Sequence, residues 1–278
     1  MEDIRSAMYL SGNKHLLIPK LIPHLSGKKI LVEPFFGSGT VSLNCSYREM
    51  FDEYYCNDIH PQMMKLHEDI KDLEWIDRCK TLTEKYPPTK EGFYQIREDY
   101  NRDKLRSELV YLTMMRSHSN SIRFNKSGGL NITFGERERF DLQKMKVHSS
   151  LCQDFNLYNM SFLMFLMTIE NKVDLSETVI YCDPPYQNSL ATYQEGGAWT
   201  VEDDFAILSK LEDLRKKGTK IVYSNVFFNK GKYNQWLIDW VEERGDSYEV
   251  IHLDRNYNNC SSFKYDGKGT DEVLIVSK

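Results

Sequence analysis

The segment KILVEPFFGSGTVSLN, residues 29–44, decides the class of fold. Its first part is an apolar run typical of a buried strand, and its last part opens a helical pattern. Gly37 and Gly39 stand between them, where glycine permits a tight bend and a close approach of the backbone to a ligand. The order of strand, glycine turn and helix predicts the first unit of an α/β sheet.

Further strand-like runs lie at residues 54–58, 147–151, 179–183, 220–225, 248–253 and 272–277. Helical patterns lie between several of them, at residues 13–25, 40–49, 61–72, 202–217 and 233–243. This alternation predicts a mostly parallel sheet that is covered on both faces. Only a polar segment, residues 255–270, separates the last two strand runs, so we expect them to form a hairpin at an antiparallel edge.

The alternation is interrupted between residues 61 and 146. That stretch is first helical and charged, and it then becomes polar and glycine-containing in SHSNSIRFNKSGGLNITFGERERF, residues 117–140. Since no strand run alternates with these helices, we expect a mainly helical subdomain at 61–146, inserted into a discontinuous domain of residues 1–60 and 147–278.

The charge is distributed unevenly along the chain. The net charge is −5, but residues 101–150 hold ten Lys and Arg against five Asp and Glu. A local basic face matters more for phosphate contact than the overall charge does, although a solvated helix surface gives the same pattern.

The composition narrows the compartment and the cofactor class. The chain has no apolar run near the roughly 20 residues that a membrane span requires, and its N-terminus has no secretion signal. The six cysteines show no CxxC pair, and the histidines show no HExxH pattern. We therefore expect a cytoplasmic protein with reduced thiols, no metal site and no membrane partner.

Two acidic residues follow neighbouring strand runs near the glycine turn. Glu33 ends the first strand run, and Asp58 ends the next one, about 20 residues beyond Gly37, an offset suited to ribose hydroxyls. Ser42 replaces the third glycine of a dinucleotide pattern, and no GK[ST] sequence is present for a triphosphate. The pair of carboxylates suits a nucleoside ligand with hydroxyls and positive charge.

The run VIYCDPPYQN, residues 179–188, places an acid, two prolines and an aromatic ring after a buried strand. Open α/β sheets bind ligands at the carboxyl ends of their strands, and proline next to proline holds the chain extended without backbone N–H donors. The corner therefore offers acceptors, namely the Asp183 carboxylate and the Pro184 carbonyl, with the Tyr186 ring beside them. A planar substrate that carries an amino group fits this chemistry.

An ordered set of motifs resembles the Dam-like (D12 class, alpha-group) DNA adenine-N6 methyltransferases. The motifs are SGNKHLLIP, EPFFGSGTVSLN, CNDIHP, SNSIRFNKSGG with FGERERF, LCQDF, VIYCDPPY, YSNVF and GTDEVLI. The resemblance covers nearly the whole chain. It implies a Rossmann-like methyltransferase sheet, S-adenosyl-L-methionine as cofactor, and transfer of a methyl group to N6 of an adenine flipped out of double-stranded DNA, with 61–146 as the target-recognition subdomain.

The resemblance also implies which residues act. It places catalysis on Asp183, Pro184, Pro185 and Tyr186. It places the cofactor on Tyr9, Lys14, Glu33, Pro34, Phe35, Phe36, Gly37, Ser38, Gly39, Thr40, Asp58, Asp154, Phe155 and Asp183. Leu10 occupies the position at which the family usually has an aromatic residue, so either Leu10 or Tyr9 lines the pocket.

By the same resemblance the polar insert reads DNA. The implied contacts are Asn120, Ile122, Arg123, Asn125, Lys126, Thr133, Arg137 and Arg139, with Lys144 and Lys146 as further phosphate contacts. Arginine pairs with the major-groove acceptors of guanine, and about 1–3 kcal/mol of discrimination comes from each good pair. Thr133 stands where the family usually has proline.

The preferred site is GATC, and a longer site containing GAT, as part of a restriction-modification system, is the alternative. Cytosine N4, RNA adenine and protein glutamine are other planar amines, but related enzymes for the first and last tend to use SPPY or NPPY at this motif. A binding protein without turnover and an NAD-type oxidoreductase are the other classes; the intact DPPY sequence and the missing third glycine speak against them. We also expect a transient dimer on DNA, and a location in the cytoplasm of a bacterial or phage-infected cell.

Overall fold

The computed structural model describes residues 2–10, 12–120, 122–125, 127–136, 138–186, 199–229, 231–253 and 270–278. The chain forms two compact units. The first unit contains residues 1–18, 36–50 and 60–159, and the second contains residues 19–35, 51–59 and 160–278. Because the segments alternate, the chain passes between the units five times.

The first unit is mainly helical. Its helices are α2 (Thr40–Tyr47), α3 (Pro61–Asp69), α4 (Leu73–Lys85), α5 (Lys90–Arg102), α6 (Ser107–Arg116) and α7 (Leu142–Leu151), and it also contains the strand β3 (Phe155–Tyr158). Helix α6 packs against α3, α4 and α5, and its residues from Leu109 to Arg116 are all buried. A helix that is buried on all sides forms the centre of a helical layer.

The second unit contains a mixed sheet. Its strands are β1 (Ile30–Glu33), β2 (Glu53–Asn57), β4 (Thr178–Cys182), β5 (Lys220–Asn229), β6 (Lys232–Tyr233), β7 (Tyr248–His252) and β8 (Asp271–Ser277). The order is β2-β1-β4-β5-β8-β7, and β6 pairs with β5. The β1–β2, β1–β4 and β4–β5 pairs are parallel, and β8 pairs antiparallel with both β5 and β7.

In the described part of the second unit, three helices accompany these strands, namely α8 (Phe162–Glu170), α9 (Val201–Lys216) and α10 (Gln235–Glu242). The helix α1 (Ile18–Leu25) begins at the last residue of one unit and continues in the other. Helix α9 starts with a capping box, in which Thr200 and Asp203 satisfy each other's backbone N–H groups. Across the described ranges, no helix is both long and apolar enough to cross a bilayer.

The predicted α/β fold with a mostly parallel sheet and an antiparallel edge hairpin is confirmed. One predicted strand is wrong, because residues 147–151 form the end of helix α7 and the strand lies later, at Phe155–Tyr158. The Asp141 side chain accepts a hydrogen bond from Lys144 N and starts this helix. Its buried residues Met145, His148 and Ser149 follow helical spacing, which a window of five residues could not show.

The boundaries of the target-recognition subdomain stay a prediction, since they concern DNA reading. Within residues 61–146, the described part contains helices α3 to α6, the start of α7, and two isolated β-bridges, Ser117 with Phe134 and Phe124 with Leu130.

Candidate active site

Three carboxylates lie at the carboxyl ends of three neighbouring strands in the second unit. Glu33 is the last residue of β1, Asp58 follows β2, and Asp183 follows β4. These strands are adjacent and parallel in the order β2-β1-β4, so their carboxyl ends share one edge of the sheet. Glu33 is 2% exposed. A buried carboxylate is stabilised when partners or a cation compensate its lost hydration.

Asn57 ties two loops together at this edge. Its Nδ2 donates to the carbonyls of Pro34 and Met160, both at 3.0 Å, and its Oδ1 accepts from Met160 N at 3.0 Å. The side chain is fully buried, so these bonds satisfy groups that water cannot reach. The segment after β1, which carries Pro34 and Phe35, is therefore held in place next to Glu33.

The hydroxyl of Tyr186 lies at the centre of a small polar network. Its neighbours are Asp183 Oδ1 at 2.9 Å, Ser224 Oγ at 3.2 Å and Glu272 Oε1 at 3.3 Å. A phenol has one hydrogen to donate, and both carboxylates are placed to accept it. Ser224 of β5 and Glu272 of β8 are buried, so the network orients the Tyr186 ring next to the Pro184–Pro185 corner.

Ser224 and Glu272 were not among the predicted site residues. Both belong to motifs that support the resemblance, YSNVF and GTDEVLI, but their contact with Tyr186 depends on the pairing of β5 with β8. The missed signal is a polar residue in the middle of an apolar strand. A buried polar side chain requires a partner, so each such residue marks a contact across the sheet.

Three aromatic rings cluster next to the end of β1. The Phe35 ring lies 5.5 Å from the centroids of both Phe162 and Trp199, and these two rings are 5.4 Å apart. Trp199 Nε1 donates to Asp204 Oδ1 at 2.8 Å, which fixes the indole. Phe35 was predicted as a cofactor residue, whereas Phe162 and Trp199 were missed because they lie more than 100 residues away in sequence.

The cysteine beside the candidate carboxylate is not set up as a nucleophile. Burial raises the pKa of the Cys182 thiol well above its usual value, and the adjacent Asp183 carboxylate raises it further. A thiol that stays protonated is a poor nucleophile. The corner therefore offers oxygen acceptors and no thiolate nucleophile at Cys182.

The glycine turn itself lies in the first unit. Gly37 and Gly39 have φ angles of +50° and +71°, and Gly39 N donates to the Phe36 carbonyl at 2.8 Å. A Cβ at Gly39 would come within 2.7 Å of the Phe36 ring, so only glycine fits there. Ser38 Oγ and Thr40 Oγ1 are 2.8 Å apart at the start of α2.

Two buried histidines support this turn. His67 Nε2 lies 2.8 Å from the Gly37 carbonyl, and the His67 ring packs 4.5 Å from Phe36 and 5.3 Å from His148. His148 Nδ1 accepts from Ala7 N at 3.3 Å. Burial lowers the pKa of His67 to about 4 and lowers the pKa of His148 well below its usual value, so both rings are neutral at pH 7.

The acceptors around the rings assign their tautomers. A neutral His67 that donates to the Gly37 carbonyl carries its hydrogen on Nε2, which makes Nδ1 an acceptor. A neutral His148 that accepts at Nδ1 carries its hydrogen on Nε2. His67 Nδ1 and His148 Nε2 are both buried without a protein partner, and one is an acceptor and the other a donor.

The other predicted cofactor residues of the first unit have distinct environments. Phe155 is buried in β3, 6.2 Å from the Phe36 ring, and its carbonyl accepts from Lys71 Nζ at 3.0 Å. Asp154 is exposed. Lys14 is 7% exposed at the start of a 3₁₀ turn. These positions agree with an apolar contact from Phe155 and a polar one from Asp154, and the roles stay predictions.

Tyr9 and Arg139, predicted for the cofactor and for DNA, contact each other. The Arg139 guanidinium lies 4.1 Å from the centroid of the Tyr9 ring. A cation over an aromatic face contributes about 0.5–1 kcal/mol at an exposed site. In this structure Tyr9 holds the arginine in position.

The described residues of the predicted reading loop, 122–125 and 127–132, form a small hairpin, referred to below as the 122–132 hairpin. Arg123 Nε donates to the Asn131 carbonyl at 2.6 Å, and Asn131 N donates to the Arg123 carbonyl at 2.8 Å. Arg123 is exposed, and its bond to Asn131 is made by Nε. Both Nη groups, which can make a bidentate contact to guanine, are not used by that bond. The hairpin therefore presents Arg123 in a defined place.

Two predicted DNA contacts have structural roles. Asn125 Oδ1 accepts from Ser127 N, Ser127 Oγ and Gly129 N and so closes the turn. Asn120 is 7% exposed with a φ of +50°, and its Nδ2 donates to the Met114 carbonyl at the end of α6. Thr133 is exposed, and its carbonyl accepts from His118 N at 2.9 Å. Lys126 and Arg137 lie outside the described residues.

Among the residues described, no group of three or more His, Cys, Asp or Glu forms a metal-ligand set. Five cysteines within those ranges are buried and form no disulfide, namely Cys45, Cys56, Cys79, Cys152 and Cys182.

Comparison with known proteins adds to this geometry. The type II methyltransferase M.FokI of Planomicrobium okeanokoites is 27% identical over 99% of this chain and 43% of its own length. The chain thus spans less than half the length of several curated relatives that it matches. A DNA adenine methylase of Vibrio cholerae is 28% identical over 81% of this chain and 82% of its own.

A solved rRNA methylase from Streptococcus thermophilus is 8% identical and covers 97% of this chain and 98% of its own, with a TM-score of 0.41. The model of the family "D12 class N6 adenine-specific DNA methyltransferase" matches residues 10–258, which include the glycine turn, the hairpin and the DPPY corner. The methyl donor implied by this family is S-adenosylmethionine. The chain belongs to the D12 class of N6 adenine-specific DNA methyltransferases.

Proposed function

We propose that this chain transfers a methyl group from S-adenosylmethionine to the exocyclic N6 of an adenine flipped out of double-stranded DNA. The observation that carries the proposal is the shared sheet edge of Glu33, Asp58 and Asp183, with the two prolines directly after Asp183. The family match supports both the reaction and the cofactor.

The residues fit the cofactor chemically. Asp58 follows β2 as an acceptor for ribose hydroxyls, and Glu33 offers a buried carboxylate whose negative charge attracts a positively charged ligand. The crowded Gly39 position keeps the turn free of a side chain. When bound, S-adenosylmethionine supplies a methyl group already activated on a sulfonium.

The acceptors at the corner orient the substrate amine. The adenine amine is a poor nucleophile because its lone pair is delocalised into the ring. Hydrogen bonds from its two hydrogens to the Asp183 carboxylate and the Pro184 carbonyl would favour a more tetrahedral nitrogen with a directed lone pair. The rate enhancement then comes from orientation and electrostatic stabilisation. Asp183 need not remove a proton first, since the proton can leave after transfer.

The Tyr186 ring provides a stacking surface for the extruded base. Flipping costs a few kcal/mol, and stacking on an aromatic ring returns about 1–3 kcal/mol. The bonds of the Tyr186 hydroxyl to Asp183 and its neighbours hold the ring before the base arrives. A preset ring reduces the ordering cost of binding.

Site choice is assigned to the subdomain of residues 61–146, with the rest of the chain carrying catalysis. GATC is the proposed site, and a longer site containing GAT is the alternative supported by the similarity to M.FokI, whose name identifies it as a type II methyltransferase. Cytosine N4 and RNA adenine are the remaining substrates for the test. A transient dimer on palindromic DNA, in the cytoplasm of a bacterium or phage-infected cell, completes the proposal.

The test is long-read mapping of modified bases in DNA from cells that express this chain, combined with tritium transfer from labelled cofactor to DNA. N6-methyladenine in GATC supports the full proposal. Methyladenine in a longer motif supports the alternative site. Labelled N4-methylcytosine, label in RNA alone, or no transfer to DNA contradicts the proposal. Sedimentation with and without a GATC duplex tests the dimer.

A further inference from the structure

The hairpin of residues 122–132 is too small to hold its own shape. Its strands share the Phe124–Leu130 bridge, and its main-chain bonds include Asn125 N to the Gly129 carbonyl at 2.8 Å. A two-stranded hairpin by itself is marginally stable in water. An exposed arginine on such a hairpin needs outside support to reach the same base edge each time.

Helix α5 and the turn that follows it provide that support through three polar side chains. Arg97 Nη1 donates to the Ile132 carbonyl at 2.8 Å, Asn101 Oδ1 accepts from Leu130 N at 2.9 Å, and Lys104 Nζ donates to the Ser127 carbonyl. Arg97 and Asn101 are one turn apart on the same side of α5, and Lys104 lies two residues beyond the last residue of the helix, Arg102. They bind the hairpin at its turn, in its second strand and at the end of that strand.

Helix α5 is itself firmly fixed. Thr89 caps its start by accepting from Gly92 N, and the side of the helix adjacent to Arg97 and Asn101 buries Phe93, Ile96 and Tyr100. The Tyr100 ring also lies 5.9 Å from Phe124 of the hairpin. Because α5 is firmly packed, the hydrogen bonds from Arg97 and Asn101 restrict the motion of the hairpin.

Space between the helix and the turn is tight. A Cβ on Gly129 would lie 3.1 Å from Asn101 Oδ1 and 3.2 Å from Asn125 Nδ2. Contacts at these distances force the neighbours to shift. The same side chain that binds Leu130 N thus also limits how the turn packs.

We propose that Arg97, Asn101 and Lys104 act as positioning residues for site choice, by clamping the 122–132 hairpin on α5 so that Arg123 is presented to the base edge in one place. The inference rests on the proposed function, because it assumes that this hairpin reads DNA. None of the three residues is assigned a contact with a base. Their effect acts through the backbone of the hairpin.

The test compares Asn101→Ala and Arg97→Met with Gln95→Ala, an exposed position on the same helix. Hydrogen exchange should rise at the amides of residues 129–131 in the two clamp variants and stay unchanged in the control. The ratio of kcat/KM for the mapped site to that for sites with one changed base should fall about tenfold, the equivalent of one good base contact. Affinity for a random duplex should stay the same.

Two further variants separate the clamp from general damage. Asn101→Asp keeps the acceptor for Leu130 N and should retain site choice. Gly129→Ala keeps the asparagine at position 101 but displaces its Oδ1 from the turn, and should reduce site choice. Faster exchange in the hairpin with an unchanged discrimination ratio would overturn the inference, and so would unchanged exchange. A chain that transfers no methyl group to DNA defeats the proposed function instead, and unchanged exchange in Asn101→Ala would still refute the clamp on its own.

Discussion

At the scale of single residues, we propose that the chemistry takes place at the oxygen atoms around Asp183. We expect Asp183→Ala to lower methyl transfer by at least about a hundredfold, since a preorganised electrostatic contact is lost at the reacting amine. Cofactor binding should persist, because Glu33 and Asp58 are unchanged. Tritium transfer and calorimetric titration of the cofactor measure the two effects.

The matched control for this change is Asp213→Ala, which removes an exposed carboxylate from α9 of the same unit. It should leave both measurements unchanged. Near-normal turnover in Asp183→Ala would show that the Pro184 carbonyl and the ring suffice.

Tyr186 permits a second test, in which stacking and tethering are separated. Tyr186→Phe keeps the ring and removes the bonds to Asp183, Ser224 and Glu272. We expect kcat to fall about tenfold, as a hydrogen bond to a charged group contributes about 1.5–3 kcal/mol, while affinity for DNA is retained. Tyr186→Ala should in addition weaken binding of DNA with an extruded base, by about 1–3 kcal/mol.

Extrusion of the target base by the two variants is measured with 2-aminopurine at the target position, since its fluorescence rises when the base leaves the stack. Equal loss of extrusion in the phenylalanine and alanine variants would show that the hydroxyl, and not the ring face, holds the base.

At the scale of elements, we expect the hairpin and the strand ends to contribute separately to function, the first to site choice and the second to methyl transfer. Arg123→Ala should relax site choice by about tenfold while binding to random DNA changes little, since bidentate readout of guanine is lost and other cations remain. Long-read mapping before and after the change measures the profile. An unchanged profile would remove Arg123 from base reading.

The histidine pair beneath the glycine turn predicts a pH effect on stability. The pKa of His67 is lowered to about 4 by burial, from 6.5 when unfolded, so unfolding is accompanied by proton uptake. Stability from this group is complete above pH 6.5 and decreases as pH falls toward 4. For His67 alone the loss at pH 5 is about 2 kcal/mol, and His148 adds in the same direction.

Urea unfolding at pH 7.5 and pH 5 measures this decrease. His67→Gln is the matched control, because its amide can still donate to the Gly37 carbonyl and does not titrate. The variant should show a weaker dependence on pH. An equal dependence in both proteins would assign the effect to other groups.

Secondary-structure elements could be predicted from the sequence where hydrophobic periodicity and the residues at strand ends identify them. Glu33, Asp58 and Asp183 were found because an acid at the end of an apolar run indicates a strand terminus. The residues 147–151 were misread, because their helical face becomes visible only with the Asp141 cap and Met145. Contacts of Ser224 and Glu272 with Tyr186 could not be predicted, as they depend on the register of β5 with β8.

The hairpin also shows why contacts are hard to predict from residue types alone. Asn125 has the chemistry of a base reader, yet its Oδ1 is used by three donors of its own turn. Residue type indicates what a side chain can bind, whereas backbone geometry decides which partner is nearest. The contacts of Arg97, Asn101 and Lys104 with the hairpin could not be predicted for the same reason. Their hydrogen-bond partners are main-chain groups of the hairpin, which the residue types do not reveal.

At the scale of the whole molecule, the uneven charge predicts how binding responds to salt. Each phosphate contact releases counterions and adds about 0.9 to the slope of log affinity against log salt. Lys144→Ala should therefore lower that slope by about one, although Lys144 also pairs with Asp141 at 3.2 Å. Fluorescence anisotropy over a salt series gives the slope, with exposed Lys217→Ala of the second unit as control.

An identical slope in wild type and Lys144→Ala would place Lys144 away from the DNA. A reduced slope in the Lys217 variant would show that phosphates are contacted outside the basic window of residues 101–150.

The alternation of chain segments has a consequence for anyone who wishes to engineer this enzyme. Each of the two units consists of three separate segments of the chain, which alternate with the segments of the other unit. No single cut of the gene therefore yields either unit as one continuous polypeptide. Exchanging target preference between relatives by swapping halves would sever both units. A swap confined to the short segment 122–132, grafted with its matching face of α5, leaves every crossing intact.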